Sequence, residues 1–288
     1  MRVGYIGLGS MGKPMASHLA PAGFETTVFD LVPEAVAELV ETGAKAAASP
    51  YEVGAASDVL CLCVPADAHV TSVLLGEGDG KGALEAMAPG GVVVVHSTVK
   101  PDTIIEMNEA AQQHGCTVID AAVTGGAQGA VDRELVFMVG GEEDAVEKVR
   151  PVLDASSKLV IHAGELGAGA KLKLAVNLMG YIHFAACREA FAFANGVAVD
   201  PDLLIEATRA NGQLADAELP FVASARLPID FEMPKAAQDA MRTHLGTAEK
   251  DLAHALELAR DAGVSLPTTA LVSQGMARIY RVDDRKRR

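Results

Sequence analysis

Arg2-Val3-Gly4-Tyr5-Ile6-Gly7-Leu8-Gly9-Ser10-Met11-Gly12 opens the chain with a short β-prone run that passes directly into a glycine turn. From Met11 to Ala20 the apolar spacing becomes helical. This is G-x-G-x-x-G between a first strand and a first helix, the context in which that spacing carries physical meaning. Gly7 permits the tight turn, Gly9 lets the backbone approach a pyrophosphate, and Gly12 lets the helix pack close to the strand. The free amides and positive dipole end of the helix then hold a diphosphate without a charged side chain, with Leu8, Ser10 and Met11 completing the turn. A second strand, Thr26-Thr27-Val28-Phe29, ends in Asp30, about twenty residues further on, where an acid accepts the adenosine ribose hydroxyls. A turn-capping aspartate has the same address, but the spacing favours the ribose role. Neither Leu31 nor Val32 supplies the positive charge that a 2′-phosphate needs, so NAD is expected and NADP disfavoured.

Strand and helix patterns go on alternating outward from this unit to about residue 162, which predicts an α/β, doubly wound parallel sheet of Rossmann type. A helix is expected from Pro33 to Thr42 and a weak strand over Lys45 to Ala47. The strand Val59 to Val64 runs into Val64-Pro65, at the edge where such sheets bind ligands. Val92-Val93-Val94-Val95 is a β-branched run suited to burial on both faces. It ends in His96-Ser97-Thr98, and Pro101 starts a helix to about Gln113. Cys116 to Ile119, Leu135 to Val139 and Lys158 to Ile161 complete the strands, with an amphipathic helix from Glu142 to Leu153. From Leu166 the pattern becomes wholly helical, over 166–194, 201–209, 213–224, 234–260 and 267–280. The first of these is roughly 43 Å long at 1.5 Å per residue, a length suited to an interdomain helix or a dimer interface. Two domains are therefore expected: residues 1–162, binding a dinucleotide, and an all-α domain over 163–288.

The composition narrows the functional classes. A net charge of −14 over 288 residues opposes nonspecific binding to nucleic acid or an anionic membrane. The basic end, Arg281 to Arg288, reads as a solvated terminus. No apolar run is long enough to span a bilayer, and no signal peptide precedes the first strand, so a cytoplasmic location is expected. Cys61 and Cys63 alternate on one side of a buried strand. Without a second cysteine pair they read as free thiols rather than metal ligands, and the eight histidines show no ligand spacing, so no metal is expected.

Two further segments carry polar groups suited to chemistry. In Gly164-Glu165-Leu166-Gly167-Ala168-Gly169-Ala170-Lys171-Leu172-Lys173-Leu174-Ala175-Val176-Asn177, glycines open a helix, and Lys173 and Asn177 share one face at i and i+4. Spacing alone leaves Lys173 open between a solvated charge, like Lys171, and a functional lysine. In Asp120-Ala121-Ala122-Val123-Thr124-Gly125-Gly126, the glycines follow a strand and expose backbone donors suited to a carboxylate or hydroxyl. An ordinary glycine turn remains equally open there.

Together with Lys250-Asp251-Leu252 and the Ser97-Thr98-x-x-Pro101 step, these segments resemble the β-hydroxyacid dehydrogenase family, which includes 3-hydroxyisobutyrate dehydrogenase and tartronate semialdehyde reductase. The resemblance covers almost the whole chain. It implies hydride transfer between NAD and the hydroxyl carbon of a small β-hydroxy acid, or a semialdehyde in reverse. It also implies Lys173 as general acid/base, with Asn177 helping to hold the substrate. Thr124, Gly125 and Gly126 would bind the substrate's carboxylate and hydroxyl. Thr98 and Lys250 would lie by the nicotinamide end of the cofactor, and Val64-Pro65 along its middle. A homodimer or homotetramer built through the helical half is also implied. The family loop usually reads Asp-Ala-Pro-Val-Ser-Gly-Gly, whereas this chain has Ala122 and Thr124, and Phe231 to Thr247 is longer than usual; both bear on substrate choice. The 6-phosphogluconate branch would place a glutamate where this chain has Gly180, and imine reductases usually replace the lysine. A non-catalytic NAD-binding sensor would have no need of Lys173 and Asn177.

Overall fold

The structure, a computed structural model, describes residues 1–78, 80–215, 218–227 and 231–283. Its strands are β1 (Arg2–Ile6), β2 (Glu25–Phe29), β3 (Lys45–Ala46), β4 (Val59–Leu62), β5 (Val92–Val95), β6 (Thr117–Thr124), β7 (Leu135–Gly140) and β8 (Ser157–Gly164). They form one sheet in the order β3-β2-β1-β4-β5-β6-β7-β8. The chain adds β2 and β3 on one side of β1 and then β4 onward on the other, all parallel as far as β6, and this change of order makes the switch point at which doubly wound sheets bind ligands.

Between the strands lie α1 (Gly12–Ser17), α2 (Pro33–Glu41), α3 (Pro50–Ala55), α4 (Asp67–Leu75), α5 (Pro101–Gln112), α6 (Gly126–Val131) and α7 (Glu143–Asp154). Central strands alternate between two cores. Val3 and Tyr5 of β1, Val59 and Cys61 of β4, and Val92 and Val94 of β5 pack on one face. Ile6, Leu60, Leu62, Val93 and Val95 pack on the other. Each fully buried aliphatic side chain of this kind contributes about 1.5–3 kcal/mol relative to exposure. The near-continuous apolar runs of β4 and β5 are thus the signature of strands covered on both sides.

The sheet departs from the expected all-parallel form at one edge. β6 and β7 pair antiparallel, Asp120 opposite Gly140 and Thr124 opposite Val136, while β7 and β8 pair parallel. The link between β6 and β7 holds only the short α6, and a parallel crossover needs a dozen or more residues. β6 also runs on to Thr124 rather than stopping at Ile119, because β7 supplies it with a partner beyond the end of β5. The first helix is shorter than the predicted Met11–Ala20. After Ser17 the amides of His18 and Leu19 bond three residues back, to Met15 and Ala16, which tightens the chain out of the α-helix. The helices α3, α4 and α6 were not foreseen.

The remaining helices are α8 (Ala168–Gly196), α9 (Pro201–Ala210), α10 (Leu219–Ala225), α11 (Lys235–Asp261) and α12 (Pro267–Ile279). The expected helix over 213–224 is realised only as α10, and residues 216 and 217 lie outside the described residues, as do 284–288 of the basic tail. Internal packing divides the chain into Met1–Lys173 and the part from Leu174 onward, so α8 begins in the first unit and continues in the second. Within the second unit, Tyr181 of α8 packs with Leu245, Ala248 and Leu252 of α11 and Val272 and Met276 of α12. Phe191, Leu214, Val222 and Ala225 make a separate small core. Arg188 is buried and donates to the carbonyls of Ser224, Ala225 and Ile279, which ties α8 to α10 and the end of α12. Among the described residues, no helix is long and apolar enough to cross a membrane.

Candidate active site

The glycine turn is closed beneath and open above. Gly7 has φ +94°, and a Cβ there would stand 2.4 Å from the carbonyl oxygen of Cys63. A Cβ on Gly12 would stand 1.9 Å from the carbonyl oxygen of Gly7, so α1 can sit on the turn only without one. Gly9 is exposed, and a Cβ there would meet nothing within 4 Å. The space above Gly9 is open, as an approaching dinucleotide phosphate would require, and a helix start lies beside it. Leu8 is buried below this turn, while Ser10 is exposed and Met11 half-buried.

Asp30 joins this turn directly. One carboxylate oxygen accepts from the Leu8 amide at 2.5 Å and the other from the Val32 amide at 2.8 Å. The acid therefore caps its own turn and braces the glycine turn together, from the position at the end of β2 where the ribose role was expected. Leu31 beside it is 86% exposed and brings no charge.

Further along the same sheet edge, the loops after β4 and β5 are locked together. The Val64 amide donates to Ser97 Oγ at 2.8 Å. Asp67 Oδ1 accepts from the Lys100 amide at 2.9 Å and from Thr103 Oγ1 at 2.7 Å. These bonds hold half-buried Val64 and exposed Pro65 to the segment that carries Thr98. Asp67 escaped the sequence reading, although an acid in a helix's first turn just after Val64-Pro65 is the kind of residue that pins such a loop.

The next strand carries the site's central anchor. Asp120 pairs in register with Val95, the last residue of β5, and its side chain is 1% exposed. Its Oδ1 accepts from the Gly167 amide and its Oδ2 from the Ala170 amide, both at 2.6 Å. Burial pushes the carboxyl above its usual range, and the backbone donors, Gly167 and Ala170 foremost, oppose that shift. The bonds fasten the first turn of α8 to the sheet edge, and Lys173, half-buried, follows one turn beyond Ala170. Two glycines make the seat possible. A Cβ on Gly169 would lie 2.2 Å from the Met138 carbonyl oxygen, and one on Gly140 would lie 2.5 Å from Asp120 Oδ1. The sequence signal for Asp120 was a lone acid in an otherwise apolar strand, which burial obliges to find donors.

β6 continues four residues past this anchor to Thr124, roughly 13 Å at 3.3 Å per residue. Thr124 is half-buried there, and Gly125 and Gly126 are exposed with φ +128° and +69°. Both take backbone angles that L side chains resist. The loop therefore stands beyond the end of β5, on the strand that anchors α8.

In the second unit, Asn177 and Lys250 converge on Asp251. Asn177 Nδ2 donates to Asp251 Oδ2 at 2.7 Å, and Tyr181 Oη donates to the same oxygen at 3.1 Å. Lys250 Nζ lies 3.1 Å from Oδ1, off the hydrogen-bond direction, so that contact is an ion pair. Asp251 is 1% exposed. Burial, then the Asp251 charge, pushes the Tyr181 phenol up and that of Tyr280 to about 12. The carboxylate fixes which end of the Asn177 amide faces it, and neither Asp251 nor Tyr181 was assigned that part from the sequence. The available clue was an acid on the apolar face of α11, beside Ala248, Leu252 and Ala255.

Other groups singled out from the sequence lie in packed surroundings. His96 is buried between Tyr5 and Phe137, its Nδ1 2.9 Å from the Ala121 carbonyl oxygen, and burial lowers its pKa to about 4. It is a neutral core imidazole. Cys61, Cys63, Cys116 and Cys187 are free thiols, and burial pushes Cys63 up to about 12. Among the described residues, no group of three or more His, Cys, Asp or Glu side chains is placed to hold a metal ion.

Residues 2–164 match a family model described as the NAD-binding domain of 6-phosphogluconate dehydrogenase. Residues 167–287 match one described as NAD-binding of NADP-dependent 3-hydroxyisobutyrate dehydrogenase. An uncharacterized oxidoreductase of Mycobacterium tuberculosis is 36% identical over 280 residues, covering 96% of this chain and 92% of that protein. The 2-(hydroxymethyl)glutarate dehydrogenase of Eubacterium barkeri is 34% identical over 278 residues, covering 95% and 87%. A crystal structure of 3-hydroxyisobutyrate dehydrogenase from Salmonella typhimurium superposes with a TM-score of 0.81 at 29% identity, over 96% of this chain and 93% of that one.

The turn's geometry separates its glycines experimentally. Gly9→Ala is expected to leave stability within about 0.5 kcal/mol, as at an open surface position, while raising the NADH dissociation constant roughly tenfold, about 1.4 kcal/mol. Gly12→Ala is expected to lower the melting temperature as well. Thermal melts and fluorescence titration check both; full NADH affinity in Gly9→Ala would show that the phosphates do not sit above that residue.

Proposed function

The chain belongs to the β-hydroxyacid dehydrogenase family, and on that premise we propose that it moves a hydride between NAD and the hydroxyl carbon of a small β-hydroxy acid, with Lys173 as general acid/base. The observation that carries the reading is the seat of α8. The helix bearing Lys173 starts at the sheet edge where β1, β4 and β5 end, fastened there by Asp120. Residues 1–162 serve the dinucleotide in this reading, and residues 163–288 serve substrate and assembly.

The residues fit a nicotinamide dinucleotide: the cradle above Gly9, Asp30 at the end of β2, and Val64-Pro65 and Thr98 held side by side on the edge. The cofactor supplies the two-electron acceptor, and the protein supplies alignment and a proton path. Lys173 in its neutral form takes the hydroxyl proton as the alcohol is oxidised. Its ammonium form polarises the carbonyl and returns the proton in the reverse direction. Thr124 Oγ1 and the backbone amides of Gly125 and Gly126 hold the substrate's carboxylate and hydroxyl, together with Asn177 oriented by Asp251. Lys250, paired with Asp251, serves the nicotinamide end. Substrates of the 3-hydroxyisobutyrate or 2-(hydroxymethyl)glutarate type suit this set, since each carries its hydroxyl on the carbon β to a carboxylate. The four free thiols suit a reducing, cytoplasmic setting.

Lys173→Ala is expected to lower kcat by about two to four orders of magnitude, the usual range for general acid–base help, with NADH binding retained. Steady-state rates on a hydroxy acid that the unaltered enzyme turns over test this; an active variant would place the proton acceptor elsewhere.

NAD is the proposed cofactor. Asp30 at the ribose position, followed by Leu31 and Val32, disfavours a 2′-phosphate, even though the family model matching the C-terminal half is described by an NADP-dependent enzyme. The kcat/KM for NAD is expected to exceed that for NADP, and equal or better use of NADP would remove the assignment.

We further propose a homo-oligomer, at least a dimer, assembled on α8. Ala175, Met179, Ala186, Ala190 and Phe193 are exposed along one side of that helix, with Met179 and Phe193 each 70% exposed. Their spacing of three, four and seven residues makes a seam of the kind that packs against another helix. Light scattering at micromolar concentration is expected to give at least twice the chain mass of 29.8 kDa. A mass near the single-chain value would overturn this.

A further inference from the structure

The residues just before α8, Gly164-Glu165-Leu166-Gly167, include no Ser, Thr, Asp or Asn to cap it. Its cap comes from β6, 47 residues earlier in the sequence from the Gly167 donor. The cap has two points, each oxygen of Asp120 holding a different amide, on Gly167 before the helix and Ala170 within its first turn. One bond would leave the helix free to swivel about it. Two bonds from a planar, buried carboxylate fix both its height and its rotation. Lys173 follows Ala170 by three residues and lies on the same side one turn on. A slip of one residue at the seat would swing the lysine by about 100°. The absent side chains of Gly140 and Gly169 bring the helix close enough to close both bonds.

We propose that Asp120 is the positioning residue of Lys173, setting through the two-point cap on α8 where the lysine's ammonium group meets the substrate oxygen. The proposal rests on the general acid/base reading of Lys173 and deepens it. A neutral amide does not replace the carboxylate. In Asp120→Asn one acceptor becomes an NH₂ group facing an N–H donor, so one of the two bonds becomes a repulsion. The cost of leaving a buried donor unpaired falls on the helix start rather than on the dinucleotide turn.

A double-mutant cycle tests this, with kcat and NADH affinity measured for the unaltered enzyme, Asp120→Asn, Lys173→Ala and the double variant. Asp120→Asn is expected to lower kcat by about 10²-fold, as a misplacement near 1 Å does, while the NADH dissociation constant stays within about threefold, below the tenfold that marks 1.4 kcal/mol. In the Lys173→Ala background the same change is expected to cost almost nothing further, since it acts through the missing group. Unchanged kcat in Asp120→Asn, or an equal loss in both backgrounds, would overturn the proposal and leave Asp120 a structural cap. If Asp120→Asn does not fold, Asp120→Ser, which keeps a single acceptor, carries the same cycle with the same expectations. A fully active Lys173→Ala enzyme would remove the acid/base reading, and this proposal with it, and would be visible in the single variant alone.

Discussion

The structure turns on a buried carboxylate held by backbone amides. Asp120 is almost wholly shielded from water and accepts from two of them at 2.6 Å. A charge in that position is costly unless its donors are in place. The contact is therefore demanding: the helix start must arrive at the right height and rotation, or the acid is left stranded. Gly140 and Gly169 serve this requirement, because a side chain on either would push the helix off its seat. The partial positive charge of the first turn of α8 adds to the attraction.

The same sheet edge repeats this device with different donors. Asp30 grips the Leu8 amide across β1 and β2, Ser97 Oγ grips the Val64 amide across β4 and β5, and Asp67 grips the Lys100 amide. Each is a short polar side chain that closes a loop on its neighbour by accepting from backbone N–H. The edge is thus stiffened, while the position above Gly9 is left open. In the helical unit Asp251 plays the matching part for Asn177 and Tyr181. Acceptors placed against donors fix geometry in both units, and the chemistry is left to a few groups that this geometry holds.

Much of the fold was legible because period and punctuation agree. The glycine turn after β1, the β-branched β5 and the change to unbroken helix near residue 166 each follow from local rules, as does Asp30 at the end of β2. Contacts distant in the sequence were less legible. The reversal at β7 depends on the brevity of the α6 link and on pairing partners beyond β5, and neither shows in the pattern of β7 itself. Asp120 and Asp251 were read as members of motifs and not as hubs, because an acid's burial and its donors are settled by segments far along the chain. Lys173 shows the same limit: its spacing fits a solvated charge as well as a functional one. The proposed role rests on the anchoring of its helix at the sheet edge and on its being half-buried where Lys171 is exposed.

The most direct test is a crystal structure with NAD and a 3-hydroxy acid bound. Lys173 Nζ is expected within hydrogen-bonding distance of the substrate hydroxyl oxygen, about 2.6–3.2 Å, with Asp120 still holding the amides of Gly167 and Ala170. A substrate hydroxyl met by another side chain, with Lys173 turned to solvent, would contradict it.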